Sequence, residues 1–481
     1  MTEPKTLPAS LEGVRVHLVG IKGTGMAALA EVLVSRGAFV TGSDTPETFY
    51  TDAVLRKLGI PYVEGFAAAN LPPGVRFVVH SAAYRRDENP ELVAAAARGI
   101  TMLQYPEALG ALSRASDSSG ISGVHGKSTT TAMCGLVLKE WGFPATVLVG
   151  AEVPGFGGRS TMVAGSRYFV AETCEYRRHF LNFRPSRIVI TSIEPDHLDY
   201  FHDLDDILSA FVEYGLTLPR GGSLVYCRDD DGARAAAERI ASSRPDIDMV
   251  PYGRLAEGAW RVVSEENMAG EVRFTLAGGP SSFSLHVPGA HNVLNAAAAV
   301  ALCSLIWKCE RPGPGVDLAA AARALAAFRG SRRRSEIVGE ANGVLFMDDY
   351  AHHPTAIRKT LEGIRSFFPG RRLVVDFMSH TYSRTRALFA EFGACFAPAD
   401  LVVLHRIYAS AREKNDSGLT GRELFQETAR NHPDVHYFED PMDAVPFLLT
   451  ELRADDIMVT MGAGDNWKLG RELWRRRGGG R

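Results

Sequence analysis

At 481 residues the chain is too long for a single hydrophobic core, so two to four domains are expected. Its 46% hydrophobic and 23% charged residues are those of a soluble globular protein, and a formal charge of -3 gives no reason to expect nucleic acid or anionic membrane as a bulk partner. Function must therefore come from local sites. The six cysteines (Cys134, Cys174, Cys227, Cys303, Cys309, Cys395) form no C-x-x-C pair, and Met1 to Lys5 lead into no signal-like apolar run, so a reducing cytoplasm is expected. No apolar segment approaches the roughly twenty residues that span a bilayer, the Ala-rich stretch from Asn295 to Leu302 being too short.

From Val14 to Gly20 a β-rich apolar run ends in Gly20-Ile21-Lys22-Gly23-Thr24-Gly25-Met26. Ala27 to Ser35 then reads as a helix and Phe39 to Asp44 as a second strand, a βαβ nucleotide-binding beginning. Its spacing is G-x-x-G-x-G rather than G-x-G-x-x-G, so the loop does not by itself name a nucleotide. A strand at Arg76 to His80 and a loop at Ser81-Ala82-Ala83 continue the pattern up to the Ser-rich segment Ser113 to Ser119, which is taken as the first boundary, giving a domain over 1–116.

The segment Gly123-Val124-His125-Gly126-Lys127-Ser128-Thr129-Thr130-Thr131 has the makings of a phosphate-binding turn opening a helix. Glycines let backbone N–H groups close around phosphate oxygens, Lys127 supplies a cation, and the Ser128 hydroxyl can ligate Mg2+. The spacing, G-x-x-G-K-[ST], is shorter than that of the common P-loop. ATP and Mg2+ are the expected cofactors of a second α/β domain over 117–328.

Two further strands are expected in that domain, Tyr168 to Ala171 and Arg187 to Ile193. If they flank the strand before the phosphate loop, Ser128, Glu172 and His197 converge on metal at the strand ends where α/β folds place ligands. Taken singly, Glu172 also reads as a solvated end-of-strand acid and His197 as a capping or core histidine. Asn292, in His291-Asn292-Val293-Leu294-Asn295 at a helix start, has an amide that suits an adenine edge or an N-cap equally.

After a break near Pro312-Gly313-Pro314-Gly315 and a helix from Leu318 to Phe328, the third domain (329–481) shows strands at Gly343 to Met347, Arg371 to Phe377, Leu401 to Leu404 and Asp456 to Thr460. The polar cluster Asp348-Asp349-Tyr350-Ala351-His352-His353-Pro354 follows the first of these, and His380-Thr381-Tyr382-Ser383-Arg384-Thr385-Arg386 the second. Asp349 suits ribose hydroxyls, Tyr350 and His352 a second substrate, and Arg384 a carboxylate or phosphate, with a plain basic helix face as the alternative for Arg386. The paired histidines lack a third ligand at metal spacing.

These motifs, with Asp196-His197, Arg333-Arg334 and Gly462-Ala463-Gly464-Asp465 in the same order along almost the entire chain, resemble the Mur ligases of peptidoglycan synthesis, their alanine-adding branch most nearly. The resemblance implies an α/β, three-domain architecture: a Rossmann-like UDP-binding domain, a central P-loop ATPase-like domain, and a C-terminal Rossmann-like domain. It implies an ATP-dependent amide ligase that activates the carboxylate of UDP-N-acetylmuramate as an acyl phosphate and joins it to L-alanine. Nucleic acid and membrane are not expected as partners, and the protein is expected to be a monomer or homodimer.

By the same resemblance Gly23, Thr24, Gly25 and Met26 would cradle the UDP diphosphate, with Asp44 and Ser81 also on the UDP-sugar. Gly123, His125, Gly126, Lys127, Ser128 and Thr129 would hold the ATP phosphates, Asn292 the adenine, and Arg333 and Asp349 the nucleotide. Ser128, Glu172 and His197 would bind metal, and Tyr350, His352 and Arg384 would border the amino acid. Lys127, Glu172, His197, His352 and Arg384 are the expected catalytic set. No lysine lies between Lys139 and Lys308, so the carbamylated lysine of other branches has no counterpart in that stretch.

Three departures bear on the substrate. Lys22 replaces a glycine of the first loop and would contact diphosphate or face solvent; Thr381 replaces an arginine; and Glu172-Thr173-Cys174-Glu175 loses an acid between its two glutamates. The alternatives are a ligase that joins a ready-made tripeptide to the same UDP-sugar, disfavoured by Gly25 before Met26, and a catalytically idle UDP-sugar-binding regulator, disfavoured by the intact Lys127, Ser128, Glu172 and His197. An NAD-linked oxidoreductase would leave Lys127 and the third domain without roles.

Overall fold

The structure, a computed structural model, describes residues 6–197, 200–279, 281–313, 315–409 and 418–480. The N-terminal Met1 to Lys5 and Pro314 of the expected interdomain break lie outside the described residues. The chain divides into two compact units, Met1–Ile193 with Leu208–Arg261 and Ala296–Ala324, and Glu194–Ile207 with Val262–Asn295 and Leu325–Arg481.

In the first unit the opening apolar run becomes strand Arg15–Val19, four of its five residues buried, and the helix after the glycine loop is Thr24–Ser35. The first sheet is wholly parallel, in the order Tyr62–Glu64, Phe39–Asp44, Arg15–Val19, Phe77–His80, Thr101–Gln104. The strand order reverses direction between Arg15–Val19 and Phe77–His80. That switch point, where helices leave on opposite faces and open a crevice, is where ligands bind in such sheets, and the Gly20–Gly25 loop sits there.

The second sheet of this unit runs Asp248–Tyr252, Ser223–Cys227, Arg187–Ile190, Asp117–Ser122, Tyr168–Glu172, Ala145–Val153, Arg159–Val163. It is parallel except for the edge pair Ala145–Val153 and Arg159–Val163. The strands carrying Glu172 and Arg187 thus flank the strand before the phosphate loop, as the convergence argument required.

The Ser-rich segment Ser113–Ser119, expected to mark the first boundary, joins two elements directly. It ends helix Tyr105–Arg114 and begins the central strand Asp117–Ser122, in which Ser118 and Ser119 are fully buried. Glycine is needed at the next position, since a Cβ on Gly120 would stand 2.2 Å from the Tyr214 hydroxyl.

In the second unit a three-stranded antiparallel sheet, Val262–Met268, Glu271–Leu276 and Ser282–Leu285, stands apart from a six-stranded sheet. The latter runs Glu336–Ala341, Val344–Asp349, Ile457–Met461, Leu373–Phe377, Leu401–Leu404, Val435–Tyr437. Asp348 and Asp349, expected just beyond the strand, are its last two residues and are buried. The apolar stretch judged too short for a membrane span belongs to a 21-residue helix, Ala290–Glu310. By length and composition this helix could cross a bilayer, but most of it is buried within the protein, and it is the one such helix among the described residues.

Candidate active site

The phosphate loop connects strand Asp117–Ser122 to helix Lys127–Glu140 through two glycines in conformations that side chains disfavour, Gly123 at φ 131° and Gly126 at φ 81°. A Cβ on Gly123 would lie 2.1 Å from Thr191 Oγ1 and 2.9 Å from the Ser192 nitrogen. The loop is moored to that neighbouring segment, with Val124 N donating to Ser192 O at 2.9 Å and His125 N to Ser192 Oγ at 3.0 Å. The first N–H groups of helix Lys127–Glu140 have no acceptor within the helix, and its dipole favours an anion there. Thr129 follows in the first turn, and its side chain is largely buried.

Lys127 Nζ donates to the Gly123 carbonyl and, at 3.1 Å, to both oxygens of the buried Glu175. Burial alone would lower its pKa; the charge of Glu175, helped by Cys174 and Glu172, more than offsets this and raises it, so the ammonium is kept charged. Glu175, the second glutamate of Glu172-Thr173-Cys174-Glu175, thus holds the lysine, a role the sequence did not disclose. Immediately after it Arg177 and Arg178 adopt left-handed φ of 52° and 57°, at roughly 1–2 kcal/mol each. Such strain next to a charged cluster is typical of functional sites.

Ser128 Oγ donates to Glu172 Oε2 at 2.6 Å. Glu172 has room only because residue 150 is glycine: a Cβ there would stand 1.7 Å from Glu172 Oε1. A hydroxyl and a carboxylate brought together at the mouth of a phosphate loop are hard oxygen donors, the chemistry that Mg2+ prefers, so these residues fit the expected metal.

At the first loop, Asp44 organises rather than waits. Its Oδ2 accepts from Lys22 N at 2.6 Å, and its Oδ1 from Thr45 N at 2.8 Å and Tyr84 Oη at 3.0 Å. Gly20, at φ 86°, lets the Tyr84 ring approach: a Cβ would be 2.6 Å from it. Gly23 and Thr24 begin the helix, Ser81 Oγ accepts from Ala83 N at 3.2 Å, and the Met26 side chain is buried in the core, leaving its backbone for any ligand.

Neither expectation for Lys22 holds. Its side chain is wholly buried and points away from solvent, with Nζ 2.9 Å from Glu64, 3.3 Å from Asp52 and donating to the carbonyls of Thr45 and Glu47. Burial, which would lower its pKa, is outweighed by Glu64 and Asp52, which raise it. Lys22→Met leaves the buried Asp52 carboxylate without its cation, and a stability loss of about 3–5 kcal/mol is expected, read by denaturant unfolding.

In the second unit Arg384 donates through Nε (3.1 Å) and Nη2 (2.8 Å) to Asp196 Oδ1. Burial alone would raise the Asp196 carboxyl, but Arg384, with His197 and His352, holds it well below the usual carboxylate range. His352 donates from Nδ1 to the Tyr350 carbonyl at 2.8 Å, a tautomer assigned from that bond, which leaves Nε2 as an acceptor. Burial and the Arg384 charge push its pKa well below the ordinary imidazole value, so it is neutral at neutral pH. His197, beside Asp196, adopts φ 52°. Thr381 replaces the expected arginine with a backbone role: at φ 67° it caps helix Tyr382–Ala387, and its carbonyl accepts from Thr385 Oγ1 at 2.6 Å.

Three expected nucleotide contacts are engaged internally. Arg333 bonds Asp348 at 3.0 Å and the carbonyls of Gly462 and Gly464 at 2.6 and 3.1 Å, fastening the Gly462–Asp465 loop to the sheet, and its guanidinium lies 5.1 Å from the Tyr350 ring centre. Asp349 accepts from Ser335 N at 2.6 Å and Ala351 N at 2.8 Å; burial, partly countered by Arg334, raises its pKa. Asn292 is the third residue of its helix rather than the N-cap, donating to Pro288 O at 2.7 Å and accepting from Asn295 Nδ2 at 3.0 Å.

Family models match three consecutive segments: the Mur ligase family catalytic domain over residues 15–117, the Mur ligase middle domain over 121–303, and the Mur ligase glutamate ligase domain over 333–464. A UDP-N-acetylmuramate--L-alanine ligase from Treponema pallidum is 51% identical over 470 residues, covering 98% of both chains. One from Desulfitobacterium hafniense is 41% identical over 463 residues, covering 95% of this chain and 99% of the relative. Among solved structures, UDP-N-acetylmuramate-alanine ligase from Thermotoga maritima superposes with a TM-score of 0.76 at 27% identity, covering 96% of this chain and 98% of that one. A murein peptide ligase from Psychrobacter arcticus shares the fold with a TM-score of 0.67 at 23% identity, covering 97% of this chain and 99% of that one. With three segments matched in order and relatives of this identity along nearly its whole length, the chain belongs to the Mur ligase family.

Proposed function

We propose that the protein joins L-alanine to the carboxylate of UDP-N-acetylmuramate, with ATP converted to ADP and phosphate, in the synthesis of peptidoglycan precursor. The relatives at 51% and 41% identity carry that activity in their names, which favours alanine over a tripeptide as acceptor. The observation that carries the ligase reading is the assembled phosphate loop, with Lys127 held by Glu175 and Ser128 by Glu172. A regulator that had lost catalysis would have no use for either pair.

The carboxylate is a poor acceptor for an amine until its oxygen becomes a good leaving group, so its oxygen first attacks the γ-phosphate and ADP departs. Lys127 stabilises the charge that builds on the transferring phosphoryl group. Mg2+, when bound by Ser128 and Glu172, neutralises phosphate charge; His197 is proposed as a further ligand on the family resemblance. The amine of alanine then attacks the acyl carbon and phosphate leaves. His352 Nε2, a bare acceptor, is proposed to take the proton released by the amine, and Arg384 to engage the alanine carboxylate.

We assign 1–116 to the UDP-sugar, with Gly23, Thr24, Gly25, Met26, Asp44 and Ser81; 117–328 to ATP, with Gly123, His125, Gly126 and Thr129 around the phosphates and Asn292 toward adenine; and 329–481 to the amino acid and nucleotide, with Arg333, Asp349 and Tyr350. Mass spectrometry of the reaction with all three substrates tests the reading. UDP-N-acetylmuramoyl-alanine supports it, and a product formed only with a tripeptide would replace it by the recycling activity. Gly150→Ala forces Glu172 away from Ser128, and the Mg2+ concentration for half-maximal turnover is expected to rise about 10- to 100-fold in a metal titration.

A further inference from the structure

Tyr105 stands in neither set of expected residues. It is the first residue of helix Tyr105–Arg114, whose start is fixed by a capping box in which the Gln104 N–H donates to Glu107 Oε2 at 2.6 Å. The body of the helix is pressed against the segment following Glu175: a Cβ on Gly110 would be 2.2 Å from the Asn182 carbonyl oxygen, and Ser113 Oγ accepts from Arg184 N at 2.9 Å. The helix therefore runs from the end of the first sheet to the segment after Glu175.

The phenol ring covers Gly25 of the first loop, where a Cβ would be 3.0 Å from Cζ and 3.1 Å from Oη. Tyr105 also lies within electrostatic reach of Glu172. The half-buried hydroxyl has no hydrogen-bond partner among the described residues. A phenol is neutral near pH 7, so this hydroxyl is a donor in need of an acceptor.

We infer that Tyr105 Oη donates a hydrogen bond to an oxygen of the acidic sugar of the substrate, in the stretch between its diphosphate and its carboxylate. This rests on the proposed function, because it takes the Gly20–Gly25 loop as the diphosphate site and Glu172 as the mark of the reacting carboxylate. A substrate reaching from one to the other would pass the helix whose first residue covers Gly25 and whose body packs against the segment after Glu175. Gly25 is glycine for the same reason, since any side chain there would press on the ring.

Tyr105→Phe keeps the ring and removes the donor. Calorimetric titration of wild type and variant with UDP-N-acetylmuramate and with UDP alone tests the inference, with melting temperature as a check on folding. The variant should bind the UDP-sugar about tenfold more weakly and UDP as the wild type does, since UDP ends before the sugar. Equal affinity of both proteins for the UDP-sugar, or an equal loss for UDP, would overturn the inference. Failure of the wild type itself to bind UDP-N-acetylmuramate would instead overturn the proposed function on which it rests.

Discussion

Lys127→Ala should lower turnover by at least about 10²- to 10³-fold while UDP-N-acetylmuramate still binds as to the wild type. The charge on Lys127 faces the phosphate loop, whereas the UDP-sugar is assigned to the first loop. The substitution also leaves Glu175 buried without its cation, at a cost of about 3–5 kcal/mol of stability, so lost turnover alone would be ambiguous. The double variant Lys127→Ala, Glu175→Gln removes the uncompensated charge. It should regain much of the stability lost in denaturant unfolding and none of the turnover. Recovery of turnover in the double variant would show that Lys127 acts on the fold and not on the phosphoryl group.

Arg384→Ala is expected to show two separable effects. The first is on stability: Asp196 keeps its burial and loses the guanidinium that holds it ionised, a loss of about 3–5 kcal/mol near neutral pH. Because the folded Asp196 carboxyl is depressed, this contribution is fully present above the unfolded value of about 3.9 and is lost as pH falls below it. Unfolding of wild type and variant should therefore converge on acidification. The second effect is a raised KM for alanine with the KM for ATP unchanged. A stability difference that does not shrink as pH falls below about 3.9 would contradict the pairing, and an unchanged alanine KM would remove Arg384 from the amino-acid site.

Much of this was legible in the sequence because the chemistry is local. Gly123 to Thr131 place glycines, cation and hydroxyl in consecutive residues, and the strands after them, Tyr168–Glu172 and Arg187–Ile190, announce themselves by apolar runs. Glu172 was singled out because strand ends in α/β sheets carry ligands, and the structure pairs it with Ser128. What stayed hidden is the chemistry made by distant residues. Glu175 meets Lys127 across 48 positions and Asp196 meets Arg384 across 188, and no spacing rule reaches so far.

One misreading has the same origin. Lys22 looks like a surface or ligand cation, yet Asp52 and Glu64, brought from later in the chain, draw it inward. The hairpin edge Ala145–Val153 with Arg159–Val163 and the sheet Val262–Leu285 also went unread, although Glu271–Leu276 and Ser282–Leu285 alternate polar and apolar residues as a half-buried strand does. Tyr105 left no signal at all: a tyrosine before Pro106 reads as a helix start, and only the contact with Gly25 shows what it covers.

Release of phosphate from ATP and Mg2+ with UDP-N-acetylmuramate present, measured on adding single amino acids and then the tripeptide, tests the central claim most directly. The account predicts release that requires the UDP-sugar and L-alanine together. Release only with the tripeptide, or none with any acceptor, would contradict it.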